Sequence, residues 1–244
     1  MSQAQELPWE AIQFYATSAF PCSYLPGRMA RSQVATPSER VHADAYSDLI
    51  TQGFRRSGGF AYRPHCDQCD ACISVRIDTR NFLASASQKR AWRRSAALQT
   101  RTLVPSFSSE HYALYLKYQR ARHPSGGMDE DAPDQYRQYL LASRVNTRLV
   151  EFWQPQDTGP AQLVMVSIID LVRDGLSAVY TFFDPEAKES LGTYSILWQI
   201  NKAKALNLPY LYLGYWIEHS PKMAYKSRFT PQERLIDGRW VVWD

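Results

Sequence analysis

A chain of 244 residues that is 45% hydrophobic has enough apolar mass for a buried core, as one large domain or two small ones. No apolar run approaches the roughly 20 residues of a membrane-spanning helix, and the N-terminus lacks a basic-then-apolar signal, so the sequence reads as a cytoplasmic protein with no membrane partner. The net charge of +4 and pI of 8.8 suit an anionic partner without requiring one, whereas fifteen Tyr and seven Trp suit interfaces as well as a core.

Residues 1–20 offer a short, weakly amphipathic segment, and residues 21–28 form a shaped loop in which Pro26-Gly27 is a strong turn signal. Arg28 and Arg31 leave that loop together. Residues 42–50 fit a strand or a short helix equally well. Residues 53–59 form a glycine-bracketed basic loop, whose amides and guanidiniums suit an anion as readily as solvent. Three thiols then follow at two-residue gaps, Cys66, Cys69 and Cys72. A tight turn can aim such sulfurs at one ion, and Cys22 or His65 would complete a set of four for zinc or an iron–sulfur cluster. The competing reading is reduced thiols packed as small hydrophobes, and Asp67 and Asp70 favour it by opposing thiolates.

Residues 73–77 read as a strand. From Ser87 the chain turns helical and basic: Arg90, Arg94 and Arg101 fall on one stripe with Arg93 beside it, a row able to follow phosphates or simply a solvated face. Residues 108–122 and 133–143 read as packing helices. The pattern then becomes β, with strands at 149–153 and 163–172 and a hairpin at Asp174-Gly175, where a primed turn needs positive φ. Residues 177–183 are β-branched and aromatic up to the break at Asp184-Pro185. Leu191, Tyr194, Leu197, Trp198 and Ile200 then recur at helical intervals, with Asn207 and Pro209 as stop signals. Residues 210–215 return to strand character, and a strand, helix, strand unit of this kind is a parallel crossover. Ligands of such sheets bind outside the carboxyl ends of the strands. With a last strand at 240–243, the fold class is α/β (α+β): a loop-rich, Cys-bearing module over residues 1–80 and a mixed-sheet domain over residues 81–244.

Several motifs in this order resemble one family across nearly the whole chain: Cys22-Ser23-Tyr24-Leu25-Pro26-Gly27-Arg28, Gly53-Phe54-Arg55-Arg56-Ser57-Gly58, residues 66–72, Ser87-Gln88-Lys89-Arg90, Arg122-His123 with Gly126-Gly127-Met128, residues 174–180, and Leu213-Gly214-Tyr215-Trp216-Ile217 with Lys222-Met223-Ala224-Tyr225-Lys226. They are similar to those of the bacterial aspartate/glutamate leucyltransferases, relatives of the eukaryotic arginyl-tRNA–protein transferases. The resemblance implies transfer of leucine from leucyl-tRNA to proteins that begin with Asp or Glu, marking them for degradation by the N-end rule. It also implies an acyltransferase-like (GNAT-type) C-terminal part. The eukaryotic branch associates N-terminal cysteines with an iron–sulfur cluster, but the cysteine spacing here differs.

Such a transfer is aminolysis of an ester by an amine of pKa about 8, and it requires no cofactor or covalent intermediate. Positioning, a proton acceptor and oxyanion donors suffice, and no Gly-x-Ser-x-Gly elbow is present. Asp170, an acid ending an apolar run, is the expected amine-orienting group or base, with the plainer alternative of a polar residue beside the hairpin. Tyr180 and Tyr225 are candidate hydroxyl donors. Lys222, Lys226 and Arg228 are expected at the RNA terminus, and Arg90, Arg93 and Arg94 along its stem. Trp198, Tyr215, Trp216 and Met223 are candidates for a leucine slot, and Arg28, Arg31, Arg55, Arg56 and Arg76 for a clamp on the acceptor carboxylate. Two other classes compete: a non-catalytic RNA-binding protein with a metal knuckle, and an acyl-CoA N-acyltransferase. For the latter, Ser190-Leu191-Gly192-Thr193 lacks the second glycine of a pyrophosphate loop.

Overall fold

The computed structural model describes residues 12–124 and 132–243. Residues 1–11 of the expected amphipathic segment, and the motif residues Gly126, Gly127 and Met128, lie outside the described residues. In chain order the elements are β1 Gln13–Ala16, β2 Phe20–Pro21, β3 Met29–Ala30, β4 Ser32–Thr36, α1 Ala43–Thr51, β5 Arg55–Ser57, β6 Phe60–Pro64 and β7 Ile73–Asp78. There follow α2 Ala86–Arg94, β8 Gln99–Leu103, α3 Ser109–Arg122, and α4 Pro133–Tyr136 running into a π-helical turn Arg137–Leu141. The chain ends with β9 Thr147–Gln154, β10 Gln162–Val172, β11 Gly175–Phe183, α5 Leu191–Ala205, β12 Tyr210–Trp216, a 3-10 turn Ala224–Arg228, β13 Gln232–Ile236 and β14 Arg239–Trp243.

Eight strands form one mixed sheet in the order β14-β13-β7-β12-β11-β10-β9-β8, and β1-β4-β6-β5 form a second, smaller sheet. Apolar side chains leave the large sheet on both faces, so both are covered. On one face α5 and α2 enclose Val75, Leu176, Leu197, Ile200, Leu211 and Leu213. On the other, α3 and the π-turn pack Tyr115, Tyr136, Val166 and Phe182, while α1 and the small sheet pack Tyr46, Ile50, Phe54 and Tyr212. The crossover unit is present as expected: β11 and β12 are parallel and α5 joins them. Asn207 takes φ +57° where α5 stops, a conformation that Asn tolerates better than most residues. Among the described residues no helix is long and apolar enough to cross a membrane.

One open reading closes and three expectations change. Residues 43–51 are helical, with Tyr46, Leu49 and Ile50 buried at helical intervals. The basic helix ends at Arg94, and Arg101 lies on β8, so Arg90, Arg94 and Arg101 do not share a helical stripe. The β10–β11 hairpin turns on Arg173 and Asp174, with neither Asp174 nor Gly175 at positive φ. Gly175 is needed for proximity instead: a Cβ there would sit 2.5 Å from the Tyr210 carbonyl oxygen of β12. Finally, β7 lies between β12 and β13, so the large sheet takes a strand from ahead of residue 80.

Candidate active site

The pairing of β11 with β12 is brief. It runs from Gly175 opposite Tyr210 to Ser177 opposite Tyr212, after which β11 continues to Phe183 and β12 to Trp216 without facing each other. Parting parallel strands leave ladder carbonyls without their usual donors. Two basic side chains supply them. From β5, Arg55 donates Nη1 to Ser177 Oγ at 3.1 Å and Nη2 to the Ala178 carbonyl. From the 3-10 turn after β12, Lys226 donates Nζ to the Tyr215 carbonyl at 2.5 Å.

Gly214, at φ +79° in a bulge of β12, makes room: a Cβ there would lie 3.0 Å from Arg55 Nε. Arg55 and Lys226 are both buried, and among the described residues neither has a carboxylate within ion-pair distance. Uncompensated buried charge is costly, so the wedge favours an anion. Burial, followed by the neighbouring Arg55 charge, pushes Lys226 down to about 7, with Cys72 partly opposing.

Tyrosines surround this pair. Tyr215 donates its hydroxyl to the Gly53 carbonyl at 2.9 Å. Tyr24 and Tyr62 are half-buried, and burial raises both phenols, Tyr24 to about 12, while the Arg55 charge opposes. Tyr225 is 44% exposed, with its ring centroid 5.9 Å from Lys226 Nζ, so it stands where the wedge meets solvent. His123, at the end of α3, is lowered by burial and then by Lys222 and Arg122.

The arginines of the expected clamp separate. Arg56 Nε and Nη2 bind the two oxygens of Asp170 at 2.8 and 2.9 Å, and Thr147 Oγ1 donates to Asp170 at 2.6 Å. Burial opposes the Arg56 charge, but the hydrogen bonds and charge of Asp170 outweigh it and hold the guanidinium above its usual range. Asp170 is 0% exposed and fully engaged, so the structure makes it a buried counter-ion, not a group able to reach an amine. Arg76 binds Glu233 and lies 3.6 Å from the Tyr210 ring centroid and 4.2 Å from that of Trp240. Arg31 pairs with Asp67, and Arg28 is exposed. Of the five, only Arg55 enters the wedge.

The leucine-slot candidates do not converge either. Trp198 packs edge-on against Phe152 and, with Trp216, joins the core under α5, whereas Tyr215 reaches Gly53 and Tyr62; Met223 is half-buried in the segment between β12 and the 3-10 turn. Tyr180 accepts from Gln119 Nε2 at 3.1 Å and packs beneath α3.

Arg90, Arg93 and Arg94 are exposed along α2. That helix starts with a capping box: Ser85 Oγ accepts from the Gln88 amide and Gln88 Oε1 from the Ser85 amide. Gln88 Nε2 also donates to the Arg228 carbonyl at 2.9 Å, tying α2 to the segment that leaves the wedge. Lys222 and Arg228 are exposed on that segment, but Lys226 turns inward, so it leaves the expected surface row.

The four cysteines are half-buried free thiols, and the backbones of Cys66 and Cys69 face each other as a single antiparallel β pair. Burial and then the neighbouring Cys66, Cys22 and Cys69 push the Cys72 thiol up to about 12. Among the described residues no three His, Cys, Asp or Glu side chains are arranged as a metal-ligand group, so the structure gives no support to zinc or a cluster. Sequence reasoning gave no role to Gly214, Ser177, Tyr24 or Tyr62. Tyr24, Ser177 and Gly214 lie within the motifs above, but only the reach of Arg55 from β5 to β11 shows their common address.

Residues 20–90 match the family model described as arginine-tRNA-protein transferase, N terminus, and residues 110–236 its C terminus. The chain belongs to the arginine-tRNA-protein transferase family, whose members are aminoacyltransferases. Among its relatives, the aspartate/glutamate leucyltransferase of Polynucleobacter asymbioticus is 54% identical over 242 residues, covering 98% of both chains. The aspartate/glutamate leucyltransferase of Thiobacillus denitrificans is 55% identical over 236 residues, covering 96% of both. Among solved structures, L-PGS from Bacillus licheniformis superposes with a TM-score of 0.46 at 12% identity, over 60% of this chain and 47% of that one.

Proposed function

We propose that this protein transfers leucine from leucyl-tRNA to the N-terminal amine of proteins that begin with Asp or Glu, in the cytoplasm, and so marks them for degradation. The names of the relatives support the donor and acceptor. The observation that carries the site is the wedge between β11 and β12, which holds Arg55 and Lys226 with no carboxylate beside them among the described residues. We read the parting of the parallel strands as GNAT-type.

In this scheme Arg55, a permanent cation, receives the carboxylate of the acceptor's first side chain. The acceptor amine attacks the ester carbonyl of leucyl-tRNA, a new amide C–N bond forms, and the C–O bond to the terminal ribose breaks. Lys226, whose proton is loosely held, accepts the proton the amine gives up and passes one, through water, to the ribose oxygen as it leaves, which restores the neutral lysine. A carboxylate arriving on Arg55 screens the charge that depresses Lys226, so an acidic acceptor raises the proton affinity of the base as its amine arrives. Tyr225 stands at the mouth. Arg90, Arg93, Arg94, Lys222 and Arg228 hold phosphates of the RNA, and Met223, on the segment between β12 and the 3-10 turn, is the candidate left for the leucyl side chain.

The test is transfer with purified protein, leucyl- or arginyl-tRNA, and peptides beginning with Asp, Glu or Ala, read by mass. Leucine should join the acidic peptides alone, and Arg55→Gln should erase the preference for Asp over Ala. An Arg55→Gln protein with the wild-type preference would remove the carboxylate assignment.

A further inference from the structure

A cavity stands apart from the wedge. It lies between α2 and α5, measures about 290 Å³, and is lined by Phe82, Ala84, Lys89, Trp92, Arg93, Leu197, Asn201 and Lys204. Nothing in the transfer chemistry requires it. Its floor is apolar and aromatic: Trp92 is half-buried, with its ring packed on Tyr194 at 5.1 Å. Its rim is cationic. Lys204 Nζ donates to the Phe82 carbonyl at 3.1 Å and Arg93 Nε to the Lys89 carbonyl at 3.4 Å, but among the described residues neither they nor Lys89 has an acidic partner.

Three uncompensated cations around a small apolar slot suit a flat ring that carries phosphate. The volume is just under the range for small-ligand pockets, about 300–1,000 Å³, which suits a ligand as small as one base with its sugar. An indole in the floor offers a stacking face. The exposed Arg90 and Arg94 continue the positive charge along α2 outside the cavity, and the Gln88 bond to Arg228 ties this helix to the segment that leaves the wedge.

We propose that the α2–α5 cavity is a nucleotide pocket in which a base lies against Trp92 while Lys89, Arg93 and Lys204 hold its phosphates. An unstacked nucleotide of the bound tRNA is the source that the adjoining arginines favour; a free mononucleotide has the same chemistry. The choice of tRNA as source rests on the aminoacyl-tRNA reading, whereas the pocket itself does not.

The test fills the cavity from an exposed helical position with Asn201→Trp, uses Asn201→Ala as the variant that leaves it open, and checks both folds by thermal melting. Adenosine monophosphate binding is read by calorimetry, uncharged tRNA binding by fluorescence anisotropy, and leucyl transfer by kinetics. Anisotropy needs no transfer, so a failure of the transferase reading is seen separately. If the nucleotide comes from tRNA, Asn201→Trp weakens tRNA binding and raises KM for leucyl-tRNA about tenfold, with kcat within about twofold, while Asn201→Ala does neither. If it is free, adenosine monophosphate binds wild type and Asn201→Ala but not Asn201→Trp, and tRNA affinity is the same in all three. Wild-type affinity for both probes in a folded Asn201→Trp protein overturns the proposal.

Discussion

Arg56 and Asp170 meet through two hydrogen bonds of 2.8 and 2.9 Å in the interior, with side-chain exposures of 1% and 0%. The next residue back, Arg55, is also buried but has no carboxylate among the described residues. Two adjacent arginines of one short strand therefore have opposite surroundings, one neutralised by a carboxylate and one held only by Ser177 and the Ala178 carbonyl.

The first prediction concerns the neutralised one. Asp170→Asn removes the charge that compensates Arg56, and breaking a buried pair by one partner costs about 3–5 kcal/mol. Urea unfolding should show a loss of that size. Replacing both partners, Arg56→Met with Asp170→Leu, should recover much of it, because no unpaired charge remains. An Asp170→Asn protein as stable as wild type but without transfer would return Asp170 to the chemistry.

Lys226 gives a pH signature of definite sign. Its ammonium falls from 10.5 to about 7 on folding, so between those values the unfolded chain holds more protons than the folded one and stability rises with pH. Below pH 7 the buried charge opposes folding in full. Lys226→Met should therefore raise the melting temperature most at pH 6, with the gain shrinking toward pH 10. In transfer, wild-type kcat/KM should climb through pH 7 as Lys226 loses its proton. A slow Lys226→Met protein that kept the same limb would assign that limb to another group.

Gly214 tests the shape of the wedge. Alanine there is strained at φ +79° and brings a Cβ to 3.0 Å from Arg55 Nε. Gly214→Ala should destabilise by about 1–2 kcal/mol and lower transfer as Arg55 is displaced. Gly175→Ala offers the contrast, since its Cβ would strike the Tyr210 carbonyl oxygen at 2.5 Å and force β11 from β12. Its loss should appear in stability by chemical denaturation ahead of any effect on acceptor preference.

How far the sequence reveals this follows from the range of each interaction. The crossover unit is legible because its signals are local: the β-branched run of β11, the helical spacing in α5, and the Asn207 and Pro209 stop. The position of β7 is not, since six residues of strand character do not say that their neighbours are β12 and β13. The site divides the same way. The Arg55-Arg56 motif stands out in the chain, but their partners Ser177 and Asp170 are 122 and 114 residues away, so nothing nearby tells which arginine is engaged. Lys226 reads as one cation of a surface run, and only the unpaired carbonyl of Tyr215 turns it inward.

The basic face offers the last prediction, and the end of α2 at Arg94 decides its form. Arg90, Arg93 and Arg94 are exposed on the helix tied by Gln88 to the segment beyond the wedge. Arg101, which periodicity alone would add to the row, lies on β8 opposite Glu151, with its guanidinium 5.3 Å from the Trp153 ring centroid. Each phosphate neutralised in a duplex stem contributes about 0.9 to the slope of log affinity against log salt. Arg94→Glu should weaken tRNA binding and flatten that slope by about one such contact, whereas Arg101→Glu should leave it unchanged. Fluorescence titrations between about 50 and 200 mM salt read both slopes. Equal flattening by the two variants would mean that the RNA also reaches β8, and no flattening by Arg94→Glu would take α2 out of the interface.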